Sequence, residues 1–159
     1  MFSHRRALAV AAVVCASVLG LASPAMAAPP ATSTSTADVI GVTVRTGSTS
    51  AAIAVRYRCT GSPDQVHVWV SLKQSADRTA DPRLADEGSG SRGTAAAWSQ
   101  SHAGKPKCDG TTHFGVFTVD QQEAGYGILR HGWAYVQFCL FDAQNQTVPV
   151  SDFEFDRLL

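Results

Sequence analysis

Charge is scarce in this chain and has no preferred sign: 16% of the residues are charged, 13 basic against 13 acidic. That balance leaves no electrostatic footprint for nucleic acid or for an anionic membrane surface. Long apolar runs are scarce as well. After Ala22 no stretch approaches the roughly 20 residues needed to cross a bilayer. Catalytic signatures are missing: there is no H-E-x-x-H, no G-x-S-x-G and no phosphate-binding glycine loop, since GSGSRG (88–93) precedes no apolar helix. Cys108-x4-His113 has metal-ligand residue types, but no second close pair accompanies it. The expectation is a protein without metal, cofactor or catalytic residues, and neither an internal repeat nor a long helical period is present.

The N-terminus is the first positive signal. Met1-Phe2-Ser3-His4-Arg5-Arg6 is a basic start, Ala7 to Ala22 is apolar, and Ala25-Met26-Ala27 has the small-x-small pattern of a signal peptidase site. A lipid anchor would need a small residue before Cys15, where Val14 stands. Residues 1–27 therefore read as a cleaved signal peptide and the protein as secreted, with no membrane insertion after cleavage. Loss of Arg5 and Arg6 takes 13 basic residues to 11 against 13 acidic ones, a net charge of about −2. Residues 28–37 (APPATSTSTA) hold nothing to bury and read as a flexible leader. Residues 38–159 form a single domain of ordinary size.

From Asp38 onward, short β-branched and aromatic segments alternate with turn signals. Val39–Val44 is the first expected strand. Ser50–Arg58 is the second, with Ala51, Ile53, Val55, Tyr57 and Cys59 on one face and Arg56 and Arg58 on the other. Gln65–Gln74 alternates most clearly: Val66, Val68, Val70 and Leu72 against His67, Trp69, Ser71 and Lys73. Asp81-Pro82 reads as a helix cap and first position, giving a turn or two over Pro82–Glu87. Further strands are expected over Thr94–Gln100, His113–Asp120, Trp133–Phe141 and Val148–Phe155, with Gln121–Gly132 irregular. In the last strand Val148 and Val150 fall out of phase with Phe153 and Phe155, which implies a bulge near Pro149–Asp152. About seven short strands without a long helix make an all-β, antiparallel β-sandwich.

Export places cysteines where disulfides persist, and three remain after cleavage: Cys59, Cys108 and Cys139. Two pairings compete. Cys59 to Cys139, with Trp69 against it, has the order of an immunoglobulin bridge. Strand parity opposes it. Ala134, Val136, Phe138 and Leu140 form the apolar set of their strand, which puts Cys139 with Trp133, Tyr135, Gln137 and Phe141. Position 137, two before Cys139, is also not the tyrosine of a tyrosine corner. Cys59 to Cys108 joins two turn-flanked positions, closes a loop of roughly 50 residues and restricts the unfolded chain by up to about 4 kcal/mol. Parity favours this pairing, and leaves Cys139 as a half-buried thiol.

YRCTG (57–61), the strand VHVWVSLKQ (66–74) and Cys108-Asp109-Gly110 resemble a family of small exported proteins of high-GC Gram-positive bacteria, a domain of unknown function. The likeness covers roughly residues 38–145. It implies an immunoglobulin-like sandwich and a bridge between Cys59 and Cys108. Cys139 departs from the family pattern, and the resemblance implies no activity.

The candidate site is aromatic. If the third and sixth strands share a sheet, then His67, Trp69, Trp133, Tyr135 and Gln137 share its outward face, a surface suited to a sugar or small apolar ligand. The simpler alternative is that Trp98 and the 75–107 excursion fold over this face and bury it as a second small core. The expected function is a non-enzymatic binding or surface-interaction module whose partner is an unidentified protein, glycan or small apolar ligand. A protease inhibitor presenting the 75–107 excursion is the runner-up, although the glycine run works against the preorganisation that such loops need. An enzyme using Cys139 would require an exposed, low-pKa thiol beside a histidine. Asn145-Gln146-Thr147 matches a glycosylation sequon but reads as a turn.

Overall fold

The computed structural model describes residues 35–45, 47–62, 64–86, 93–143 and 147–159. Residues 1–27, most of the 28–37 leader, the glycine run up to Arg92 and Asn145-Gln146 lie outside the described residues. The chain divides at Ala31/Thr32, and the unit Thr32–Leu159 is the one described.

The elements with described bounds are eight strands and one turn of 3-10 helix. They are β1 Thr36–Val44, β2 Ala51–Thr60, β3 Val66–Ser75, the 3-10 turn Pro82–Ala85, β4 Ala95–His102, β5 Asp109–Val119, β6 Ala124–Tyr126, β7 Gly132–Asp142 and β8 Thr147–Leu158. One antiparallel sheet has the order β1-β2-β5 and the other the order β6-β4-β3-β7-β8. Their packing is an immunoglobulin-like sandwich: the first, second and fifth strands face a sheet centred on the third and seventh. Two sequence expectations need adjusting. Thr36 and Ala37, assigned to the leader, belong to β1 and pair with Arg58 and Tyr57. The irregular 121–132 segment holds β6, which hydrogen-bonds to β4 through Trp98, Ser99 and Gln100. β6 is possible because Gly127, at φ 74°, runs so close to β4 that a Cβ there would collide with the Ala96 carbonyl.

Alternation places the core. Ala51, Ile53, Val55, Tyr57 and Cys59 of β2 point inward, as do Val66, Val68, Val70 and Leu72 of β3 and Ala134, Val136, Phe138 and Leu140 of β7. Cys59 and Cys108 are bonded, with an S–S distance of 2.09 Å, across the point where the chain leaves the larger sheet and enters β5. The same corner is held by Lys107 N–H donating to the Tyr57 hydroxyl at 3.1 Å and by Gly61 N–H donating to the Cys108 carbonyl. Cys139 points out of the sandwich, in register with Trp69 and Ser151, and could not meet Cys59 inside it.

The irregularity expected near Pro149–Asp152 falls earlier in β8, between its pairs at Thr147 and Val150, and from Val150 onward the pairing is regular. Beyond it, Val150 packs toward the core, while Phe153 and Phe155 stand opposite Gln137 and Tyr135 on the outer face. Asp152, Glu154 and Asp156 therefore turn inward on an edge strand, a device that discourages edge-to-edge pairing. Asp152 accepts a hydrogen bond from Val39 N–H of β1 at 2.6 Å and ties the two sheets at that seam. Burial pushes the Glu154 carboxyl above its ordinary value, and the neighbouring Asp152, Asp156 and Asp38 add to the shift.

Replacing both Cys59 and Cys108 by serine should lower stability by about 2–4 kcal/mol, read as a fall in the denaturation midpoint at constant m-value. Glu154 carries the opposite sign. With the folded-state pKa raised, ionisation costs stability as pH climbs above the ordinary value of 4.5. Glu154→Gln should therefore raise the melting temperature at about pH 7 and leave it unchanged at about pH 3.5.

Candidate functional site

β3 and β7 pair directly, so the outward residues of both lie on one surface. Register sets them in rows across the larger sheet. One row runs His102, Trp69, Cys139, Ser151; the next, Gln100, Ser71, Gln137, Phe153; the third, Tyr126, Trp98, Lys73, Tyr135, Phe155. His67 stands opposite Phe141 at one end, and Trp133 opposite Arg157 at the other. All three tryptophans of the chain, Trp69, Trp98 and Trp133, thus occupy a sheet face that is not the main core.

Part of this face is covered. Asp81 accepts from Arg83 N–H at 3.0 Å and starts the 3-10 turn with Pro82 behind it. The turn lays Leu84 on Tyr135, Ala95 and Phe155, and these make a second small cluster. Lys73 closes it, donating to the Leu84 carbonyl at 3.5 Å and standing 5.8 Å above the Tyr135 ring. Tyr135, expected on the binding face, is buried here because the excursion packs over it.

The rest of the face is only partly open. Trp133 and Phe153 are 43% and 44% exposed, and His67 and Trp69 are half-buried. Trp98 donates from its indole N–H to the Ser71 hydroxyl at 3.0 Å and meets the Tyr126 ring edge-on. Between the aromatic rows lies a polar stripe that is dry: Ser71 is fully buried and Gln137 is 6% exposed. The Gln137 side-chain oxygen is buried and has no hydrogen-bond partner among the described residues. Cys139 is also buried, and burial of that degree suits an inert structural thiol rather than a nucleophile.

Sequence reasoning missed Trp98, Tyr126, Phe153 and Phe155 as members of this face. The phase break in β8 was the available signal for the two phenylalanines. It also missed the opposite surface, where Phe114 and Val116 of β5 are each 72% exposed on the smaller sheet.

The histidines do not converge. His67 lies on the larger sheet, while His113 packs beside Tyr57 on the smaller one. His113 shares Asp109 with Thr111 and Lys107. Hydrogen bonds from Thr111 and His113 hold the Asp109 carboxyl well below the usual carboxylate range. His102 pairs with Glu123 at 2.8 Å, beside a shallow groove of about 440 Å³ that Asp120, Val116 and Phe117 also line. Among the described residues no group of three or more His, Cys, Asp or Glu is placed to hold a metal ion, and no helix is long and apolar enough to cross a membrane.

Comparison with protein-family models, with curated proteins and with solved structures finds no match to this chain.

Leu84→Ala should destabilise the protein by about 2 kcal/mol, at the low end for a buried leucine because the cluster is small. It should also shift the tryptophan emission to the red as water reaches the Tyr135 end of the face.

Proposed function

We propose that this protein is an exported, non-enzymatic binding module whose binding surface is the uncovered part of the aromatic face. The observation that carries the reading is the gathering of Trp69, Trp98 and Trp133, with Tyr126, Phe153 and Phe155, on the outer side of a sheet whose inner side already forms the core. A face with no partner would ordinarily be polar on an antiparallel sheet. Exposed aromatic rings rimmed by polar groups are instead typical of interaction sites, because such rings bury much area at little entropic cost.

The inhibitor reading has less support. Among the described residues of the excursion, β4 lies inside the sheet and Leu84 anchors the first half, so the described part is packed down rather than presented to a protease.

Residues 28–159 should co-sediment with isolated cell envelopes of the producing organism. Trp69→Ala/Trp133→Ala should abolish retention, whereas Phe114→Ser, on the opposite sheet, should leave it intact. No retention, or retention lost only with Phe114→Ser, would reject the aromatic face.

A further inference from the structure

Gln137 stands out within this face because its side chain is buried yet its carbonyl oxygen accepts from no group among the described residues. A buried acceptor without a donor is a penalty that folds rarely keep. Elsewhere in the same sheet the fold avoids it: Gln74 of β3, equally buried, donates to the Arg130 carbonyl at 2.8 Å and accepts from Arg130 N–H at 3.0 Å.

The surroundings define the missing donor. Phe153 stands directly across from Gln137 on one side and Ser71 on the other. Trp69 lies on the diagonal, within reach of a large ring. No carboxylate stands in the row Gln100, Ser71, Gln137, Phe153, so an ammonium or guanidinium group would arrive without a counter-charge. The donor is neutral, and it must be carried on something that lies flat on aromatic rings. A pyranose has that chemistry: its C–H faces stack on an indole or phenyl ring, and its rim presents hydroxyls.

Resting on the binding reading above, we infer that the ligand is a neutral glycan, one of whose hydroxyls donates to the Gln137 carbonyl oxygen while its sugar ring stacks on Trp69 or Phe153. Both rings are partly at the surface, in reach of a ligand that approaches Gln137. The bound hydroxyl then removes a penalty present in the free protein, and that difference favours the bound state.

The test is titration of residues 28–159 with cellohexaose, N-acetylchitohexaose and maltohexaose, read by tryptophan emission and by calorimetry. All three tryptophans lie on the face, so emission reports occupancy directly. At least one sugar should bind saturably, and Gln137→Leu should weaken it about tenfold or more. The same variant should melt no lower than the parent, since it deletes an unsatisfied group. A fall in its melting temperature would mean that the amide has a partner within the fold, and would overturn the inference. So would the absence of binding by all three sugars at about 10 mM, or binding that Gln137→Leu leaves unchanged. If envelopes still retain the protein through Trp69 and Trp133 in either case, the binding reading survives and the glycan does not. Retention lost after protease treatment of the envelopes identifies a protein partner and overturns the glycan as well.

Discussion

The pairing of β3 with β7 is the constraint on which the other features rest. Two central strands, each alternating strictly, are locked in a register that sets Val68 against Leu140 and Trp69 against Cys139. A slip of one residue would turn every valine outward. Because the valines, Phe138 and the leucines must be dry, the residues between them are committed to the other side. This single choice of parity takes Cys139 away from Cys59, leaves Cys108 as the available partner, and assembles the aromatic rows. The covalent framework and the candidate site thus have a common origin.

The edges of the sandwich are handled by different means. At the corner between β4 and β5, the disulfide and the Tyr57 hydroxyl hold a connection that crosses between sheets. At the opposite seam, β8 turns carboxylates inward and uses Asp152 to bind β1 through a backbone N–H. That arrangement accepts an ionised Glu154 in a poor environment and gains an edge unattractive to a stray strand. The 3-10 turn answers a third problem. The aromatic face is too wide to leave bare, and Leu84 covers the end formed by Tyr135 and Phe155. What remains open lies on both sides of that cover: Trp133 at one end, and Phe153 with the half-buried Trp69 and His67 toward the other.

Much of this was legible in the sequence because it is local. Alternation of period two appears in consecutive residues, and so β2, β3, β7 and the identity of the core faces could be read directly. The phase break in β8 was visible as well, and its consequence for Phe153 and Phe155 follows from parity alone. Strand neighbours were not legible, since they depend on pairings between distant segments. Trp98 therefore could be assigned to a strand without being assigned to the face it shares with Lys73. β6 is three residues long and exists through a close approach to β4 that Gly125 and Gly127 permit, a tertiary fact with almost no local signature. Leu84, a lone leucine in a polar stretch, was the one local hint that the excursion packs down. An unsatisfied amide could not have been found at all, because satisfaction is a property of the surroundings and not of the residue.

Gln74 and Gln137 make that last point physically. Both are glutamines in adjacent central strands of one sheet, and both are buried. Gln74 faces the core side, where the loop after β6 is folded to meet it, and its amide is bonded at both ends to Arg130 and donates further to the Trp133 carbonyl. Gln137 faces outward beside Phe153 and diagonal to Trp69, and among the described residues its oxygen meets no N–H or O–H. A purely structural residue at 137 would do better as leucine, which fills similar space without an unsatisfied oxygen. An oxygen left without a donor among the described residues costs the free fold, and a ligand that supplied one would offset that cost. The aromatic rings around it limit what that can be: a partner that tolerates flat apolar contact and brings a neutral donor with it.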